Sequence, residues 1–187
     1  MRRRLLLLEC GLFAMATVAL GYVAYVQVSS WMLDERWTLE IERIPHPHQS
    51  MAAIAPREGA LLGEIEIPRL GASAVILEGT ADGTLRRAVG HISGTALPGQ
   101  AGNICLAGHR DSFFRPLRRI SRGDEISITT AGGLVVYRVE DTSIVSPEDV
   151  QILEPTRTET LTLITCYPFN VIGPAPRRFT VRARRVS

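Results

Sequence analysis

Between residues 58 and 187 the sequence is cut into short runs of β-branched and apolar residues, at 61–67, 73–78, 103–107, 125–130, 134–145, 161–165 and 178–184. Turn formers punctuate them, at Pro68 and Gly71, from Gly94 to Gly102, at Gly123 and Asp124, and at Gly132 and Gly133. Runs this short satisfy their backbone groups by pairing side by side, so their spacing constrains the fold more than any other feature. Helical patterning is confined to short stretches near 81–89 and 113–120. Seven or eight strands with two or three helical turns predict a mostly β fold, closed or sandwiched, and the roughly 130 residues suffice for one core. The last run alternates: Phe179 and Val181 fall on one face, for the core, and Arg178, Thr180 and Arg182 on the other, for a groove or solvent. No internal repeat, low-complexity tract or dinucleotide fingerprint occurs.

The N-terminal part is different. Residues 5–28 form a 24-residue stretch in which only Glu9 and Gln27 are strongly polar. As a helix it spans roughly 36 Å, enough for a hydrocarbon layer of about 30 Å. Arg2, Arg3 and Arg4 precede it without an acid among them, which by the positive-inside rule leaves the N-terminus in the cytoplasm. A cleaved secretory signal is the other reading, but its apolar core ordinarily runs about 7–15 residues. Tyr22, Tyr25 and Trp31 also stand where interfacial aromatics would. The expectation is an uncleaved, single-pass anchor in the cell membrane, and both readings send the rest of the chain out of the cytoplasm.

Residues 29–44 have helical spacing, with Trp31, Leu33, Trp37, Leu39, Ile41 and Ile44 set among acids, and Pro45 and Pro47 end the pattern. His46 and His48 lie in the proline-rich stretch that follows and read as linker residues rather than metal ligands. The expected organisation is therefore a cytoplasmic tip and transmembrane anchor at 1–28, a helical stalk and linker at 29–57, and an outer domain at 58–187.

All 21 basic residues are arginine, against 19 acids. The near balance argues against a dedicated nucleic-acid binder. Without lysine the chain has no side-chain Schiff base, no Walker lysine and no internal amine on a lysine to which it could attach itself. Five arginines and no acid fall within 177–187, so that end is locally basic.

Three cysteines cannot all pair. Cys10 falls in the apolar N-terminal stretch, and Cys105 sits mid-run among apolar neighbours, as a buried thiol would. Cys166 closes the run LTLIT before Tyr167 and Pro168, where a side chain is both held and reachable. His109 follows another apolar run, 57 residues before Cys166, and Arg178 lies 12 residues beyond it. Brought together by a fold, a cysteine and a histidine supply a thiolate and a proton donor, and an arginine supplies charge for an oxyanion. His91, in GHISG, reads as a loop hydrogen-bonder.

Three segments carry a resemblance: GHISGTALPGQAGNICLAGHRDSFFRPL at 90–117, TLTLITCYPF at 160–169 and PAPRRFTVRA at 174–183. They resemble the sortases, membrane-anchored cysteine transpeptidases of prokaryotic cell surfaces. The resemblance implies a closed eight-stranded β-barrel with a few short helices behind an N-terminal transmembrane helix. It implies Cys166 as nucleophile, His109 as acid and base, and Arg178, in preference to the adjacent Arg177, as the oxyanion or substrate-positioning residue. From the sequence itself no cofactor and no metal are expected. The substrates implied are secreted proteins with a C-terminal signal like Leu-Pro-x-Thr-Gly, cut between Thr and Gly and passed to an amine acceptor such as a peptidoglycan precursor. CYPF followed by a short loop and PAPRRF looks most like class D, and the linker lacks the Asp-Pro-aromatic lid motif of pilin-polymerising relatives. Glu148, Asp149 and Glu154 read as a solvated loop near the groove rather than a calcium site. Two other readings stand beside this one. One is an inactive membrane-anchored binding barrel. The other is a different exported cysteine transpeptidase of the L,D type, although that family's histidine-rich segment before the cysteine is absent.

Overall fold

The computed structural model describes residues 55–171 and 173–186, with Gly21 alone in the N-terminal region. Gly21 apart, the expected anchor with Cys10, and the stalk and linker up to residue 54 with His46 and His48, lie outside the described residues. Among the described residues no helix is long and apolar enough to cross a membrane.

The strands are β1 (Leu61–Ile67), β2 (Ala72–Glu78), β3 (Val89–His91), β4 (Asn103–Ala107), β5 (Glu125–Thr130), β6 (Gly133–Val145), β7 (Thr160–Tyr167) and β8 (Arg177–Arg185). One four-residue helix, α1 (Asp82–Leu85), and short 3-10 turns at Pro68–Leu70, Arg115–Arg119 and Val150–Leu153 connect them. The strands close into a barrel in the order β1-β2-β3-β4-β7-β8-β6-β5, with β1 returning to β5, so among the described residues no sheet edge is left to pair with another chain. The β2–β3 and β4–β7 pairs are parallel and the others antiparallel.

Alternation along each strand fills the inside. Ile65 and Ile67 of β1, Ile104 and Leu106 of β4, Ile126 and Ile128 of β5, Leu161 and Leu163 of β7, and Val181 and Ala183 of β8 are all buried in one core. Tyr137 joins them fully buried, and its hydroxyl donates to Glu159 Oε1 at 2.5 Å; burial first, and then the carboxylate, push its pKa up. Phe179 packs against this core and Val181 lies within it, as the alternation of the last run predicts.

A second, smaller cluster lies on the outer face of β4 and β7. Cys105, Ala107 and Ile164 are covered there by Ile92 and by Leu153 of the last 3-10 turn. Glu148, Asp149 and Glu154 of the loop between β6 and β7 are exposed, as the sequence suggests, but the loop is not wholly solvated, because Leu153 is buried in this cluster.

The stretch 81–91 corrects the sequence reading. Instead of helix to residue 89 and a turn at His91, α1 stops at Leu85 and β3 runs through Val89, Gly90 and His91, all three buried. A three-residue strand is too short to show alternation. Gly90 is required there, since a Cβ would lie 2.4 Å from the Gly79 carbonyl oxygen. His91 is thus a core residue rather than a loop one. Its Nδ1 lies 2.7 Å from Glu78 Oε2, and its Nε2 lies 3.0 Å from the Ala96 carbonyl. The basic end of the chain is also tempered: Arg184 pairs with Glu140 at 3.1 Å and Arg185 with Glu159 at 2.7 Å.

Candidate active site

β7 carries Thr162, Ile164 and Cys166 on its outer face, because Leu161 and Leu163 take the inner one. Cys166 is half-buried at the end of this strand. Its direct partner across the β7–β8 ladder is Arg178. Directly opposed residues of antiparallel strands hold their Cβ atoms about 5 Å apart, so the thiol and the root of the guanidinium side chain are neighbours by register alone. Arg178 is 3% exposed, and its Nη1 donates to the carbonyls of Ala175 at 3.0 Å and Arg177 at 3.2 Å. The next arginines on this face, Arg182 and Arg184, are exposed, so burial singles out Arg178.

His109 arrives from the other side. The parallel β4–β7 ladder pairs Ala107 with Ile164, and the Gly108 amide still donates to the Ile164 carbonyl at 3.1 Å. His109 lies two residues beyond Ala107, and Cys166 two residues beyond Ile164, the last pair of that ladder. The Thr165 hydroxyl donates to the Gly108 carbonyl at 2.7 Å, tying the residue before the cysteine to the residue before the histidine. Gly108 cannot be larger: a Cβ would meet the buried Phe114 ring at 2.8 Å. Phe114 in turn donates its amide to the His109 carbonyl at 3.2 Å, which closes the turn.

On the exit side of Cys166, Tyr167, Phe169 and Phe179 pack as an aromatic trio. Phe169 and Phe179 meet edge to face at 5.2 Å, and Tyr167 and Phe169 at 6.0 Å. The strand end bearing the thiol is therefore anchored by rings on its inner side.

A cleft of about 430 Å³ opens on the outer face one row from Arg178. It is lined by Asp141, Ser143 and Val145 of β6, by Thr162, Thr180 and Arg182, and by residues 151, 152 and 154–156. Thr162 donates to Asn103 Oδ1 at 2.7 Å, and the Asn103 amide donates to the carbonyls of Ile152 at 2.8 Å and Glu154 at 3.1 Å. A buried asparagine of β4 thus fixes the wall of the cleft. Glu148, on the same loop, is held below the usual carboxylate range first by the Ser146 hydroxyl, with the charge of Arg178 adding to the effect.

The two described cysteines are chemically unlike. Cys105 is fully buried, and burial pushes its thiol up to about 12, leaving it protonated at any ordinary pH. Among the described residues no three of His, Cys, Asp and Glu converge into a metal-binding group.

Arg178 thus lies opposite Cys166 in the ladder, one hydrogen bond joins the residue before Cys166 to the residue before His109, and His91 lies in the core. Asn103, Thr165 and Arg110 go unnoticed in the sequence. The signal for the first two is a polar residue inside an apolar run, in NICLA and LTLIT.

The family model described as "Sortase domain" matches residues 65–186. Sortase D of Bacillus subtilis is 35% identical over 140 residues, 74% of this chain and 71% of the relative. Sortase A of Listeria monocytogenes is 30% identical over 57% of this chain, a match that spans half of that relative's length. Among solved structures, a Clostridium perfringens Sortase D5 transpeptidase superimposes with TM-score 0.64 at 26% identity, covering 86% of this chain and 98% of its own. Sortase A from Corynebacterium diphtheriae does so with TM-score 0.65 at 26% identity, covering 93% of this chain and 96% of its own. With its barrel closed in this order and the domain match spanning nearly all of it, the chain belongs to the sortase family of cysteine transpeptidases.

Proposed function

We propose that the protein is a membrane-anchored transpeptidase, most like class D, that cleaves a C-terminal signal like Leu-Pro-x-Thr-Gly between Thr and Gly. The Cys166 sulfur attacks the threonine carbonyl carbon, and the carbonyl electron pair moves onto oxygen, where the Arg178 guanidinium stabilises the charge. Collapse of that intermediate breaks the C–N bond. The departing glycine nitrogen takes its proton from His109, and a thioester on Cys166 remains. An amine on the cell surface, such as that of a peptidoglycan precursor, then attacks the thioester, gives a proton to His109 and expels the thiolate. Both groups return to their starting state, and the secreted protein is left joined to its acceptor.

The observation that supports this reading is the strand register, with Arg178 opposite Cys166 on one side, and on the other the Thr165–Gly108 bond that links the residues preceding Cys166 and His109. In this reading the substrate has a direction. The leaving amine departs on the β4 side, near His109. The acyl segment lies over β8 and runs toward the cleft between Thr180 and residues 151–156. In this reading residues 5–28 anchor the chain with its N-terminus in the cytoplasm, 29–57 form a stalk, and 58–187 work outside.

Cleavage of a sorting-signal peptide library by the full chain tests the proposal. Cutting after threonine that vanishes in Cys166→Ala and persists in Cys105→Ala supports it. Undiminished cutting by Cys166→Ala contradicts it.

A further inference from the structure

Arg110 follows His109 directly, and its side chain reaches from the turn after β4 to the loop between β7 and β8. Its Nη1 donates to the Pro168 carbonyl at 2.9 Å, and its Nη2 donates to the Gly173 carbonyl at 2.5 Å. Pro168 lies two residues after Cys166, so the first of these bonds joins the backbone just after the histidine to the backbone just after the cysteine. On the other side of both residues, Thr165 already joins Gly108 to β7. Arg178 holds the far end of the same loop through the Ala175 carbonyl. The turn bearing His109 and the strand end bearing Cys166 are therefore tied together before and after the pair.

The geometry points to Arg110 as a positioning residue: its forked guanidinium, bridging Pro168 and Gly173, sets the separation of His109 and Cys166 and holds the loop beside them. The fork is needed, because two carbonyls on separate peptide units must be reached at once. A lysine in its place offers a point charge without that geometry. The arrangement is partly buried, where charge-assisted bonds to neutral carbonyls are stronger than in water. In this role Arg110 does not itself act on the substrate. It acts through the placement of the two residues that do, and so rests on the reading of Cys166 and His109 given above.

Small errors of placement are costly in such a pair: a displacement of about 1 Å can lower a rate by about a hundredfold. The test uses the full chain, as wild type, Arg110→Ala and Arg110→Lys, with two readouts. One is kcat and KM on a sorting-signal peptide. The other is the pH profile of Cys166 alkylation by iodoacetamide, followed by mass spectrometry, which needs no substrate. The expected result is a kcat lowered by about ten- to a hundredfold in both variants. KM should be little changed, the Cys166 alkylation profile displaced from that of the wild type, and Arg110→Ala partly restored by added guanidinium ion. If Arg110→Ala melts early, Arg110→Lys carries the test, since it keeps charge and most of the volume. Wild-type kcat and a wild-type alkylation profile in a folded variant overturn the proposal. A displaced profile in a protein that cuts no signal peptide would uphold the role of Arg110 in placing the pair while contradicting the proposed substrate.

Discussion

The hydroxyl of Thr165 donates to the carbonyl of Gly108 at 2.7 Å, and both groups are buried. This one bond joins residues 57 apart in the chain, each immediately before one of the two residues proposed to act on the scissile bond. Replacing it with a methyl group, in Thr165→Val, removes the donor and leaves a buried carbonyl short of a partner. The expected cost is about 1–3 kcal/mol in unfolding by urea. Thr165→Ser keeps the hydroxyl and should lose less. The turnover of Thr165→Val should fall further than that of Thr165→Ser, and equal turnover in the two would remove the hydroxyl from the account.

Asn103 controls the wall of the cleft through Ile152 and Glu154. Asn103→Ala deletes both donors and frees the 151–156 segment from β4, while Asn103→Asp sets a carboxylate against two carbonyl oxygens. Both should raise KM for a peptide substrate more than they lower kcat, with Asp worse than Ala. Steady-state kinetics on the two variants decides this.

Cys105 and Cys166 should separate cleanly in a thiol-labelling experiment. Burial pushes the Cys105 thiol up to about 12, so at pH 8 it is neutral and shielded. Peptide mapping after iodoacetamide treatment of the native protein should find the label on Cys166 and not on Cys105. Label on Cys105 should appear only after denaturant is added.

A pH effect on stability is expected away from the site. Asp124 is nearly buried and accepts from Arg69, with Nη2 to Oδ2 at 2.6 Å, and from the Ser121 amide at 2.7 Å. The Arg69 bond is the main reason its pKa is depressed. A carboxylate depressed on folding stabilises the native state above its unfolded value of about 3.9, and that contribution disappears as pH falls through the lower, folded value. Asp124→Asn should therefore be less stable than wild type at neutral pH, and the gap should narrow in acid. A constant gap from pH 7 to pH 2 would contradict the assignment.

Most of the barrel is legible in the sequence because its strands are long enough to alternate. The register is set by Leu161 and Leu163 facing in and Cys166 facing out, and the same count places Val181 inside and Arg178 outside. What resists reading is whatever depends on contacts between distant segments. β3 offers three residues and no period, so His91 looks like a turn residue until Glu78, 13 positions away, is seen to bind it. Arg110 sits in an exposed-looking HRD tripeptide, and nothing near it in the chain points to carbonyls 58 and 63 residues on. The five arginines at the C-terminal end suggest a basic face by composition, but the acids that temper it, Glu140 and Glu159, come from β6 and the loop before β7. Composition reports how many charges there are, and only the fold reports which ones meet.

The central claim is that Cys166 carries the acyl group between donor and acceptor. The direct measurement is the intact mass of the full chain after incubation with a sorting-signal peptide and no added amine, followed by mapping of the modified residue. The account predicts an added mass equal to the peptide up to its threonine, located on Cys166, lost in Cys166→Ala and released by hydroxylamine. Cleavage of the peptide with the acyl group on any other residue, or an adduct that survives in Cys166→Ala, would contradict it.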